Sequence, residues 1–202
     1  MKFQKYMAVG ILGLTMALGF SGCQSENQKN QDAYRKIGIN SMAEGDYDKA
    51  VKSFQKALDT SLGKIGAEEI DICYYKAAAQ FAKKDYDGAI ETYTSLIDYD
   101  KENANAYYLR GSVYLDTDKK DKAFKDYKNA VKYAGREYEI YEGIYENLTN
   151  KGETEEAKNY LKKALDIKPK DGADYAEQGH VYYLLEAVSY THLRAHETDS
   201  YL

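Results

Sequence analysis

Tyr141, Ile144, Tyr145 and Leu148 stand at i, i+3, i+4 and i+7, with polar residues between them. That spacing places the four on one face of a helix and the polar residues on the other. Phe124, Tyr127 and Val131 follow the same rule in the preceding segment. The pattern then recurs along the chain. GDYDKAVKSFQKAL (Gly45–Leu58), KDYDGAIETYTSLI (Lys84–Ile97), DKKDKAFKDYKNAV (Asp118–Val131) and GETEEAKNYLKKAL (Gly152–Leu165) align with Ala50, Ala89, Ala123 and Ala157 in register. The alanines are 39, 34 and 34 residues apart. Small residues belong where two helices approach closely, because a large side chain there overpacks by about 1–3 kcal/mol. One such unit cannot bury its apolar face alone, so the pattern predicts stacked helical pairs with a concave surface.

A repeat of this length with these landmarks resembles the tetratricopeptide repeat, a helix–turn–helix unit. The first unit shows Tyr34, Ile37, Gly38, Gly45, Ala50, Phe54 and Ala57. The third shows Tyr107, Gly111, Tyr114, Ala123, Tyr127 and Ala130, and the fourth shows Tyr141, Ile144, Leu148, Gly152, Ala157, Leu161, Ala164 and Pro169. The second keeps Tyr86, Ala89 and Tyr93, and DGADYAEQGHVYYLLE (Asp171–Glu186) resembles a fifth first-helix. Four places depart from the family pattern: Ser41, Lys84 at the turn glycine, Arg110 in a leucine place, and Tyr145 in a glycine place. Tyr145 predicts a wider separation of its helix pair. The extra residues near SLGKIGAEE (Ser61–Glu69) predict a longer turn or one added helical turn. The resemblance implies an all-α fold over residues 32–186. About four and a half helical hairpins would stack into a right-handed α–α superhelix.

In that family the first helices line the concave groove. The resemblance therefore implies a partner-binding face made of Arg35, Ile39 and Met42; Tyr74, Ala78 and Phe81; Asn105, Tyr108, Ser112 and Leu115; Glu139, Glu142 and Glu146; and His180 and Tyr183. Its N-terminal half reads as apolar and aromatic, and the glutamates form an acidic stripe. Such a face suits a protein or peptide partner with apolar anchors and a basic end. The places that carry a carboxylate clamp in one chaperone-binding subclass hold Ile39, Tyr75 and Leu109, which do not fit it.

Composition narrows the classes. The 202 residues carry a net charge of −5, with 30% charged and 44% hydrophobic residues, 22 tyrosines and one proline. A net acidic chain without a basic stripe is a poor nucleic-acid binder. The sequence has no glycine-rich phosphate loop and no nucleophile elbow. A non-catalytic scaffold without cofactor is the reading, with no metal assigned. The alternative is an accessory repeat region of a larger enzyme, or a glycan-binding surface lipoprotein, whose C-terminal part is missing.

Both ends stand apart from the repeats. Lys2 and Lys5 precede the apolar run MAVGILGLTMALGF (Met7–Phe20), which has the form of a secretory signal. LGFSGC resembles a bacterial lipobox, which implies lipidation of Cys23 after removal of residues 1–22 and attachment to the membrane, facing the cell surface or periplasm. Gln24–Gln31 is polar and aperiodic, so residues 23–31 read as a flexible tether. Cys73 reads as a small buried hydrophobe. His192 and His196 are spaced like a metal pair. However, VSYTHLRAHET (Val188–Thr198) resembles, residue for residue, one translated frame of a transposon-end adaptor used in sequencing libraries. Residues 187–202 are therefore expected to be a non-native tail, with the natural chain diverging after about Glu186.

Overall fold

The computed structural model describes residues 26–199, with side chains described through Glu186. Residues 1–22 and Cys23 lie outside the described residues. No helix among those described is long and apolar enough to cross a membrane.

Nine helices follow one another among the described residues, with no strand: α1 (Glu26–Glu44), α2 (Tyr47–Thr60), α3 (Ala67–Ala82), α4 (Tyr86–Tyr99), α5 (Ala104–Asp116), α6 (Lys120–Tyr133), α7 (Tyr138–Asn150), α8 (Thr154–Leu165) and α9 (Gly172–Asp199). They pair as hairpins α1–α2, α3–α4, α5–α6 and α7–α8, and α9 packs on α8. Each of the register alanines Ala50, Ala89, Ala123 and Ala157 is fully buried. Gly111 explains why the first helix also needs a small residue, since a Cβ there would stand 2.8 Å from Cε1 of Tyr127.

The hairpin turns share one backbone solution. Gly45, Lys84, Asp118 and Gly152 all adopt left-handed conformations, with φ of 80°, 67°, 58° and 81°. A non-glycine residue in that region costs roughly 1–2 kcal/mol. Lys84 thus occupies the glycine conformation without being a glycine. Asp46 and Asp85 then cap α2 and α4 by accepting the backbone N–H of Lys49 and Gly88.

One expectation is revised. The polar stretch taken as tether is helical from Glu26, because Gln31 is buried and donates to Glu69 Oε1 at 2.7 Å. Of the two alternatives for the insertion between the first two units, the longer turn is the one found: α2 ends at Thr60, and Leu62 and Gly63 both have positive φ. Tyr145 is buried in the core beside Ile144 and Leu148, and α7 meets α8 less closely than α5 meets α6, in the direction its larger side chain predicts.

The core runs as three successive clusters, centred on Phe54 and Ile72, then Tyr93 and Val113, then Tyr127, Ile144 and Leu161. At the far end α9 buries Val181 yet leaves Tyr175, Tyr182 and Tyr183 exposed. Its backbone stays helical past Glu186 as far as Asp199.

Candidate partner-binding groove

The first helices α1, α3, α5, α7 and α9 are joined in series by one polar rung or more at each junction. Between α1 and α3, Arg35 pairs with Asp71, its Nε donating at 2.9 Å, and stacks over the ring of Tyr75 at 5.2 Å. From α3, the Tyr74 hydroxyl donates to Asn103 Oδ1 at 2.6 Å, and that oxygen also accepts the N–H of Ala106 to cap α5. From α7, Asn147 Nδ2 donates to Ser112 Oγ of α5 at 2.7 Å. Between α7 and α9, His180 Nδ1 and Glu142 Oε1 are 2.8 Å apart.

These rungs add charged groups to the apolar and aromatic residues expected in the groove. At its N-terminal end Asp71 and Glu68 lie beside Arg35, and Asp32 and Glu69 lie beside Glu68. Burial and the neighbouring Asp32 push the Glu68 carboxyl up to about 7, and Arg35 only partly offsets this. Glu69 is held below the usual carboxylate range despite its burial, by hydrogen bonds from Gln31 and from the backbone of Gly66.

The predicted face divides by exposure. Asn105, Glu139, His180 and Tyr183 are exposed, and Arg35, Ile39, Met42, Tyr74, Phe81, Tyr108, Glu142 and Glu146 are half-buried. Ala78, Ser112 and Leu115 are buried, which removes them from an accessible face. Ser112 is drawn inward by Asn147 and by the hydroxyl of Tyr127, 3.4 Å away. Leu115 joins the third core cluster. The face of a first helix must meet its own partner, the preceding unit and the groove, so only part of the expected stripe reaches solvent.

Three of the four exposed positions of the predicted face, Glu139, His180 and Tyr183, lie on α7 and α9. Glu139, Glu142 and Glu146 form one stripe on α7. Glu142 is held above the usual range chiefly by burial, with the bond to His180 opposing it and Glu177 and Glu139 adding repulsion. The Tyr183 ring stacks on His180 with centroids 6.4 Å apart. Glu177 was missed by the sequence reading, although it stands three residues before His180 and therefore on the same helical face. Cys73 is a free, half-buried thiol whose burial raises its pKa, in keeping with an unreactive packing role.

Two profiles of tetratricopeptide repeats match this architecture, one over residues 77–118 and one over residues 32–61, 104–136 and 146–171. The chain belongs to the tetratricopeptide-repeat family. Solved structures agree. A crystal structure of MamA is 26% identical, covers 68% of this chain and 78% of its own, and superposes with a TM-score of 0.53. A thermophilic tetratricopeptide-repeat protein of Thermus thermophilus is 17% identical, with coverages of 77% and 82% and a TM-score of 0.53. PilF of Pseudomonas aeruginosa is 17% identical, with coverages of 81% and 72% and a TM-score of 0.54. The last two share the fold alone. No curated protein matches the chain. The stacked repeats make it a scaffold for protein–protein interaction.

Proposed function

We propose that this protein is a lipid-anchored scaffold that holds a protein or peptide partner at the cell envelope. The observation that carries the reading is the α7–α9 surface, where exposed Glu139 and Tyr183 flank the partly accessible Glu142, Glu146 and His180. An acidic stripe beside an exposed aromatic ring fits a basic segment that carries an apolar or aromatic anchor. The lipobox-like LGFSGC supports attachment through Cys23, which would tether the repeats to the outer side of the cytoplasmic membrane. Two acyl chains suffice for stable anchoring where a single chain is marginal.

Both halves of the reading have a direct test. Glu139→Lys with Glu146→Lys should weaken capture of the partner from envelope extract by at least about tenfold, through the repulsion that misplaced charge introduces. Undiminished capture of the same partner would remove the acidic stripe from the binding site. Cys23→Ala should shift the protein from the membrane fraction to the soluble one. A variant that still pellets with membranes after a high-salt wash would end the lipid-anchor reading.

A further inference from the structure

Glu142, Glu177 and His180 converge between α7 and α9. One ligand atom from each lies within 4.8 Å of the other two. Glu177 and His180 are a Glu-x-x-His pair on one face of α9, and Glu142 comes from a different helix and a different repeat. The set is two carboxylate oxygens and one imidazole nitrogen. That donor mixture is borderline between hard and soft. It suits Zn²⁺, Mn²⁺ or Fe²⁺, whereas Ca²⁺ and Mg²⁺ favour oxygen alone and Cu(I) favours sulfur.

The geometry is close to what such an ion needs. Ligands bonded at about 2.1 Å stand roughly 3.0–3.4 Å from one another, whether the site is octahedral or tetrahedral. The Nδ1 to Oε1 distance of 2.8 Å already lies at that scale. Glu142 retains 18% side-chain exposure and is held in place by packing, while His180 at 51% has room to adjust. The stacked ring of Tyr183 supports one face of the imidazole. Among the described residues, His180 is the ion-pair partner of Glu142, and two further carboxylates, Glu177 and Glu139, bear on it. A divalent cation would relieve that excess of negative charge.

We propose that Glu142, Glu177 and His180 bind one divalent transition-metal ion, with water in the remaining coordination positions, and that the ion clamps α9 to α7. The clamp acts where the stack is least supported. Apart from Val181, α9 is held mainly by half-buried Leu184 and Leu185, the Arg136–Asp174 pair, and the bond from Gln178 Nε2 to the Ile167 carbonyl at 2.6 Å. The site stands independently of the partner-binding reading, although it shares Glu142 and His180 with that surface.

The other two histidines, His192 and His196, must be removed from the test because their own spacing is metal-like. The measurement is calorimetric titration of Zn²⁺ alone into the full chain carrying His192→Gln and His196→Gln. One equivalent should bind. Adding His180→Ala or Glu142→Gln should weaken binding by at least about tenfold, the scale on which metal sites respond even to outer-shell changes. Glu177→Gln should act in the same direction, and circular dichroism should show each variant as helical as its parent. Loss of all binding with His192 and His196, or unchanged affinity in the His180→Ala variant, would overturn the site.

Discussion

Arg110 stands where the repeat family places a leucine, and it builds an alternative to the apolar contact. Its Nε and Nη2 donate to the two carboxylate oxygens of Asp126 at 2.7 and 2.8 Å, and its Nη1 donates to Thr94 Oγ1 at 3.0 Å. The guanidinium also lies over the rings of Tyr107 and Tyr114, at 5.7 and 5.9 Å from their centroids. The Asp126 side chain keeps 4% exposure and that of Arg110 15%. Breaking such a pair from one side strands a buried charge. Asp126→Ala should therefore cost about 3 kcal/mol, which for a chain of this size lowers the melting temperature by roughly 6–12 °C. Replacing both partners together, Arg110→Met with Asp126→Leu, should return the midpoint to within about 1 kcal/mol of the parent, because a packed apolar pair needs no charge compensation. If the double variant melts as low as the single one, the ion pair is a net source of stability rather than a specifying contact.

At the scale of elements, the junction of α1 and α3 gathers charged groups. The folded chain keeps a proton on Glu68 up to about pH 7, against an ordinary value of 4.5. Over that interval the native state binds more protons than the unfolded one, so this group's contribution to stability falls as pH rises from about 4.5 to about 7. Glutamine mimics the protonated carboxyl at every pH. Glu68→Gln should therefore melt near the parent at pH 4.5 and above it at pH 8. An identical difference at both values would show that the junction does not hold Glu68 protonated. The turns between elements show a related override of local chemistry. Lys84 and Asp118 take the left-handed conformation that Gly45 and Gly152 take elsewhere. The hairpin geometry therefore prevails over the backbone preference of those two residues.

The whole molecule is a one-dimensional stack, so each repeat depends on its neighbours and the last one is exposed to whatever follows. Tyr175, Tyr182 and Tyr183 remain accessible on α9. The helical backbone through Asp199 does not distinguish a natural continuation from a foreign one. The DNA does. Sequencing the 3′ end of the gene from source material should show a different continuation after the codon for Glu186. If VSYTHLRAHET is encoded there and runs to a stop codon, the adaptor origin is wrong and His192 and His196 return as a candidate metal pair.

Residues and spacings alone were enough to establish the repeat, its register and the helical class. A 34-residue recurrence of small and aromatic positions has few other physical solutions. Landmark positions such as Ala123 and Tyr127 are buried as their periodicity demands. Tertiary structure decided which first-helix residues reach solvent. Ser112 and Leu115 lie on the helix read as groove-lining, yet a hydrogen bond from Asn147 turns one inward and the third core cluster takes the other. Tertiary structure also brought Glu142 to Glu177 and His180 across 35 and 38 positions of chain. Helical period describes one element's faces. Side-chain meetings between elements depend on how hairpins stack, and a sequence read one helix at a time does not contain that geometry.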